Sequence, residues 1–402
     1  AKTALYEIPV LDGFSFSQGT NTSEVTLSEA ANSTGGSKRG RAMFTDSFAP
    51  AEWSFSTYMR PTVSGSGSAT TATDGVTNGQ HGGNADKFAI EGPLWAAMSA
   101  NTYDRATGAS SADKSDYEPN VFNFANSNQV TLGVFDLFFV LGASKDSEGN
   151  TYTTGTDGVT VYKLANCSVG SASIDFDIEG LAQIAWSGNG QSIEEVASLE
   201  TRATDSGNSI TGTTTLGIVN EGISSTSNYI RQKLTDLAIT FDHSASTGTL
   251  GALAVDGSND VTYNVTLTGG NITIENNLTY LTPETLGSVN LPLGHVMGTR
   301  SVSGNFTCYL NDTANSSLDL FERLQESRGV ITNAFDLAFS IGGSGNTPRC
   351  TVDIDKAHLE LPSHSFEDVV SVDVAFHGLS TDLSSSTAAN ATNEVKLTYT
   401  AS

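Results

Sequence analysis

The chain of 402 residues is 38% apolar and 16% charged, with 40 glycines, 9 prolines, and 44 acidic against 19 basic residues for a net charge of −25. That length admits two ordinary domains with proper cores. The low charged fraction, made up by Ser, Thr, Asn and Gly, fits many short strands joined by turns better than helix bundles. So acidic a surface argues against a binder that grips nucleic acid by neutralising its phosphates.

Along the first half, residues 4–16 alternate (Leu5, Ile8, Val10, Phe14, Phe16) and predict strand–turn–strand around Asp12-Gly13. Thr20 to Arg41 is polar, ends in Gly-Gly-Ser-Lys-Arg-Gly-Arg, and reads as an exposed arm. Ala51 to Arg60 predicts a strand with Trp53, Phe55, Thr57 and Met59 on one face. Pro61 to Gly83 has the composition of a mobile loop. Pro93 to Ala100 predicts a short helix with proline in its first turn. Glu194 to Asn228 reads as linker or extended arm.

In the second half, Thr262 to Glu275 predicts strand–turn–strand with Gly269-Gly270 at the bend, and Leu278 to Gly298 a second arm, richer in Pro and Leu. Thr299 to Leu310 is a strand with Val302, Gly304, Phe306 and Cys308 on one face. Ser316 to Ser327 is the clearest helix, with Leu318, Phe321, Leu324 and Gln325 together. Strands follow at Val352 to Leu361, at Ser371 to Phe376 and after Glu394.

The same segment occurs twice. Phe135-Asp136-Leu137-Phe138-Phe139 returns as Phe335-Asp336-Leu337-Ala338-Phe339, an offset of 335 − 135 = 200 residues. Ile184-Ala185-Trp186-Ser187-Gly188 has its counterpart in Val374-Ala375-Phe376-His377-Gly378, and Tyr6-x-Ile8-x-Val10 in Tyr263-x-Val265-x-Leu267. Matches in one order indicate a duplicated domain. The expected fold is mainly β: two similar sandwiches or half-barrels, residues 1–195 and 226–402, each with a flanking short helix, joined by a linker or arm over 196–225.

Catalytic and metal signals are weak. Asp175-Phe176-Asp177-Ile178-Glu179-Gly180 imitates the front of a calcium loop, but its twelfth position is Trp186, where a bidentate glutamate is required. The alternation of Ile174, Phe176 and Ile178 with the acids reads instead as a strand with one acidic face. The six histidines have no ligand spacing, and there is neither a nucleophile elbow nor a phosphate-binding loop. Cys167, Cys308 and Cys350 are too widely spaced for a disulfide framework and read as buried free thiols. No enzyme, cofactor or metal is expected. No apolar run is long enough to span a bilayer. The start, Ala1-Lys2-Thr3-Ala4-Leu5-Tyr6, lacks a secretory apolar region and reads as a mature cytoplasmic N-terminus.

Several stretches resemble the tail tube proteins of tailed bacteriophages, of the duplicated, T5-like type. They are Gly36-Ser37-Lys38-Arg39 leading to Ala51 through Tyr58; Asp177-Ile178-Glu179 to Trp186 through Gly190; Tyr229 through Leu234; Asn276 through Pro283; and Gly304 to Asp312. The resemblance implies a virion protein assembled in the host cytoplasm. Its rings, trimeric and pseudo-hexameric for a duplicated chain, would stack into a hollow tube that passes the genome during ejection. The implied partners are further copies of itself, the tape measure, tail tip or baseplate and tail terminator proteins, and in some tails a sheath. DNA would cross the lumen without specific binding, and no membrane is involved. Residues 381–402 are too few for the immunoglobulin-like domain that T5-like proteins carry at their end.

On that reading Asp175, Asp177 and Glu179 are the first lumen candidates, and Asp353 and Asp355 the second. Lys38, Arg39 and Arg41 mark the first inter-ring arm, and Pro283 and Pro292 bracket the second. Period-two alternation shows two faces without saying which meets the lumen. The main rival reading is a secreted β-sandwich adhesin or surface-layer subunit. A carbohydrate-active enzyme would need a carboxylate pair in an aromatic cleft, and the chain has only three tryptophans.

Overall fold

The computed structural model describes residues 5–6, 8–31, 33–34, 37–64, 86–100, 120–125, 132–141, 160–196, 218–219, 229–241, 261–283, 285–286, 289–326, 335–346, 348–361, 363–366, 370–380 and 393–400. In the first half the strands are β1 Leu5–Tyr6, β2 Ser15–Ala31, β3 Ser37–Tyr58, β4 Pro61–Ser64, β5 Asp86–Ala89, β6 Val121–Ala125, β7 Phe135–Leu141, β8 Thr160–Asp177, β9 Gln183–Gly190, β10 Ser192–Val196 and β11 Ile218–Val219, with helix α1 Gly92–Ser99. In the second half they are β12 Asp236–Phe241, β13 Val261–Val265, β14 Leu267–Glu275, β15 Leu278–Leu281, β16 Gly294–Met297, β17 Ser301–Tyr309, β18 Phe335–Ile341, β19 Arg349–Leu359, β20 Ser363–Phe366, β21 Val370–Gly378 and β22 Asn393–Thr400, with helix α2 Ser317–Glu326. The chain is mainly β, as expected.

The main sheet runs β13-β12-β18-β19-β21-β17-β14-β8-β9-β3-β2. Within it the order β2-β3-β9-β8 of the first half repeats as β14-β17-β21-β19 in the second. The FDL strands repeat too: β7 pairs with β8 as β18 pairs with β19, and both ladders slip at the same point, between Phe135/Leu137 and Phe335/Leu337. The halves meet where β14 pairs antiparallel with β8.

Alternation builds the core. Trp53, Phe55, Trp186, Ile174, Phe176, Ile272, Phe306 and Phe376 lie on one face of the sheet and are all buried. The FDL strands cover that face as a second layer. Phe139 stacks on Phe16 at 4.7 Å between ring centroids, and Phe339 packs on Phe176 and Phe376 at 5.7 and 5.5 Å. Each ring removed from water contributes roughly 2–3 kcal/mol. At Gly304 a Cβ would lie 2.1 Å from the Asn271 carbonyl oxygen and 2.7 Å from the Phe376 ring, so only glycine lets that ring cross β17.

Both helices form as expected. α1 has Pro93 in its first turn, ends on Ala100 in the left-handed region (φ 60), and is buried nearly all round. In α2 the buried stripe is Leu320, Phe321 and Leu324, with Leu318 only half-buried, which corrects the face drawn from the sequence.

The arm read over Thr20 to Arg41 is a two-stranded hairpin, with β2 and β3 continuing from Thr20↔Phe48 to Ala31↔Ser37. Other expectations need correction. Residues 8–11 form no strand, although the turn at Asp12-Gly13 is present. In the second half the break falls at Thr266, and Gly269-Gly270 lie within β14. Pro61–Ser64 is a strand, whereas the rest of the stretch to Gly83 lies outside the described residues. Of the 196–225 linker only β11 and the end of β10 are described. The three thiols are free and buried.

The last strand knits the halves together. β22 pairs with β19 on one side and with β6 of the first half on the other. Beside it, Glu91 is fully buried, and its carboxylate accepts from the Arg60 backbone N–H at 3.3 Å. Burial pushes the Glu91 carboxyl up to about 7, against the opposing effects of the Tyr399 hydroxyl and Arg60. Nearby, the buried Arg300 guanidinium donates to Glu394 at 3.3 Å and to the Asn276 side-chain oxygen at 3.0 Å. Burial lowers the Arg300 pKa, and Glu394 opposes that shift.

Candidate functional site

The face of the main sheet turned away from the core is polar. It carries Ser54 and Ser56 on β3, Ser171, Ser173, Asp175 and Asp177 on β8, Asn271 and Thr273 on β14, and Asn305 and Thr307 on β17. These groups largely satisfy one another across strands. Ser15 and Ser54 hydroxyls lie 2.8 Å apart, Ser171 and Ser187 2.8 Å, and Ser173 and Thr273 3.2 Å. The Asp373 carboxylate accepts from Asn305 at 3.2 Å and from Thr307 at 3.1 Å. A concavity of about 740 Å³ lies over this face between Asp175, Asp177, Glu179, Asn271 and Asn305.

The described strand segments of this face hold carboxylates but neither lysine nor arginine, with His358 and His377 the titratable nitrogens among them. The segments 15–18, 51–58, 171–177, 183–190, 267–275, 301–309, 357–359 and 370–378 carry Glu52, Asp175, Asp177, Glu275 and Asp373 and no lysine or arginine. Such a surface repels a polyanion along its whole width.

Asp175 and Asp177 are exposed there, opposite the buried Ile174 and Phe176. The alternation stops at Asp177: Ile178 is 58% exposed, so Glu179 sits in the bend beyond the strand. The Asp177 backbone N–H donates to the Gln232 side-chain oxygen at 2.8 Å, which holds this end of β8 against the second half.

Asp353 and Asp355 lie elsewhere. They belong to the part of β19 paired with β18, in the covering layer, where Val352 and Ile354 turn into the core in alternation with them. The two acids therefore face the opposite surface of the sandwich. Asp353 stands across from Lys396, and its pKa is raised by burial, with Lys396 opposing and Asp355 adding to the shift.

The arms are hairpins. Lys38 and Arg39 lie near the tip of the β2–β3 hairpin, and Arg41 pairs with Glu24 of the same hairpin at 2.7 Å. Both partners of that pair are well exposed, so it contributes little. The second arm is the β15–β16 hairpin and its loop, with Pro283 half-buried and Pro292 buried. The two arms touch: the Phe48 N–H donates to the Asn290 carbonyl at 2.9 Å, and the Asn290 N–H to the Asp46 carbonyl at 3.2 Å. Basic residues marked the first arm in the sequence and Pro and Leu the second; both present exposed apolar side chains, which on the first arm the charge reading passed over. Val25, Met43 and Phe44 stand on the first arm, and Leu281, Leu286, Leu293 and Val296 on the second.

Among the described residues no group of three or more His, Cys, Asp or Glu could hold a metal ion, and no helix is long and apolar enough to cross a membrane. His295 contacts the Ser168 hydroxyl at 3.1 Å and His377 the Glu360 carboxylate at 3.1 Å, while His81 and His243 lie outside the described residues.

The described residues thus form a β-rich subunit whose two halves repeat one strand order, with a polar sheet face and two hairpin arms. In sequence the chain is similar to tail tube protein pb6 of Escherichia phage T5, with 28% identity over 386 residues, 95% of this chain and 69% of that protein. No family model matches the chain. The similarity bears out the resemblance to T5-like tail tube proteins and supports a structural role in the virion tail.

Proposed function

We propose that the chain is the major tail tube subunit, in which two domains, 1–195 and 226–402 joined by 196–225, place two like sheets side by side in one ring. Three copies close a pseudo-hexameric ring, rings stack through the hairpin arms, and the genome passes through the lumen during ejection. The protein acts through assembly with itself and other tail components rather than through catalysis.

The observation that carries this reading is the polar sheet face, whose described segments in both halves hold acids and neither lysine nor arginine. DNA moving past such a wall meets mostly hydroxyls, amides and like charge, with no lysine or arginine in those segments to hold it. On this reading Asp175 and Asp177 line the lumen with Glu179 at its rim, and Asp353 and Asp355 lie on the outer wall. Lys38, Arg39 and Arg41 and the Pro283–Pro292 loop belong to the inter-ring arms, whose apolar side chains supply most of the contact.

Electron microscopy of purified protein at high concentration, with end-on views classified by symmetry, tests the proposal. Stacked hollow rings of three chains are expected. Rings of six chains would keep the tube and refute the pseudo-hexameric ring. A phage carrying this chain in no tubular structure would refute the assignment and favour the adhesin reading.

A further inference from the structure

The main sheet contains a seam within the chain, and the duplication carries that seam to its outer edges. In the internal seam Ile272 of β14 stands opposite Ile174 of β8, and the two are 0% and 1% exposed. The ladders fix what is equivalent in the two halves. Trp53 faces Gly188 as Val302 faces Gly378, and Phe55 faces Trp186 as Gly304 faces Phe376. One strand further, Phe16 faces Trp53 as Ile274 faces Val302, so Phe14 holds the place of Ile272. On the other side, Leu359 faces Phe376 as Ala172 faces Trp186, so Leu361 holds the place of Ile174.

These two positions lie at opposite ends of the repeated set of strands. Among the described residues no strand pairs with the outer edge of β2, nor with Leu359–Leu361 on the side away from β21. Phe14 and Leu361 are 39% and 57% exposed, although their equivalents in the internal seam are fully buried. An open edge with an apolar residue in the inward register invites another strand.

We infer that Phe14 of one chain meets Leu361 of the next as Ile272 meets Ile174 within the chain. β2 of one copy pairs antiparallel with the end of β19 in its neighbour. Phe16 then stands opposite Leu359, and Ser15 opposite Glu360, where the hydroxyl can donate to the carboxylate. The inference rests on the tube reading and adds to it the edges, direction and register of the contact. Within one chain the two residues are seven strand spacings apart, roughly 30 Å, far beyond the reach of a disulfide.

The test is oxidation of a Phe14→Cys, Leu361→Cys double variant after assembly, analysed on non-reducing gels, with the unmodified chain imaged in parallel. The native thiols are buried and stay silent. Covalent multimers up to a closed trimer are expected from the double variant and none from either single variant. Tubes in the microscope without cross-linked multimers would overturn the seam and leave the tube standing. A chain that forms no tubes would overturn the tube reading itself, and the seam with it. A second pair guards against misfolding: Phe14→Lys and Leu361→Glu should each cut assembly at least tenfold with an unchanged thermal melt, and together restore it. Failure of two folded partners to restore assembly would also count against the seam.

Discussion

The indole N–H of Trp95 donates to the Tyr399 hydroxyl at 2.8 Å, joining the helix of the first half to the last strand across 304 positions of sequence. The Trp95 ring also meets Trp186 at 4.5 Å, so the bond fixes the central aromatic stack of the first half from the second. Tyr399→Phe keeps the ring and strands the indole donor in a dry site. The expected loss is about 1–3 kcal/mol in denaturant-induced unfolding, with the m-value unchanged.

Glu91 makes stability depend on pH. Its folded pKa of about 7 lies above the ordinary 4.5, so the folded chain holds the proton more tightly than the unfolded one. The advantage is whole below pH 4.5 and is lost as pH rises through 7, by an amount on the order of 3 kcal/mol. Chemical denaturation at pH 5 and pH 8 should reveal this fall. Glu91→Gln should flatten it and leave the variant more stable than the parent at pH 8.

Gly304→Ala tests the packing beneath the polar face. The new methyl would strike the Asn271 carbonyl across the β14–β17 ladder and the Phe376 ring. A cost of about 1–3 kcal/mol is expected from overpacking, seen as a lower melting temperature. A neutral result would mean that β17 can shift without disturbing its neighbours.

Charge reversal distinguishes the two surfaces of the sandwich. Asp175→Lys with Asp177→Lys should permit assembly yet slow DNA ejection from purified virions at least tenfold, with partial recovery in high salt. Asp353→Lys with Asp355→Lys should leave ejection unchanged, because those side chains face the other surface. Equal effects from both pairs would reject the lumen assignment.

What the sequence disclosed follows from how far each signal reaches. Trp53, Phe55, Thr57 and Met59 alternate because β3 buries one face, and all four are buried. The FDL strands were legible for the same reason, and their shared ladder slip was not, since register belongs to two strands at once. Ile178 continues the alternation in sequence, but Gly180 at φ 102 lies in the bend where the chain leaves the sheet. The described side chains of the β2–β3 hairpin, at 20–25 and 41–46, are exposed, so no buried face imposes an apolar period on them. The polar face was legible only as scattered serines, threonines and acids, because their alignment needs the order of strands.

The placement of β22 also sets a schedule for the nascent chain. Phe124 cannot meet its partner until Val395 has been made, 395 − 124 = 271 residues later. At translation rates of roughly 5–20 residues per second that interval is about 15–55 s. Throughout it β6 is an unpaired edge, and Trp95 has no hydroxyl to bind. A chaperone that shields β6 while synthesis continues would raise the yield of native subunit, and stalling translation before Glu394 should leave a ribosome-bound chain whose first half is open to protease.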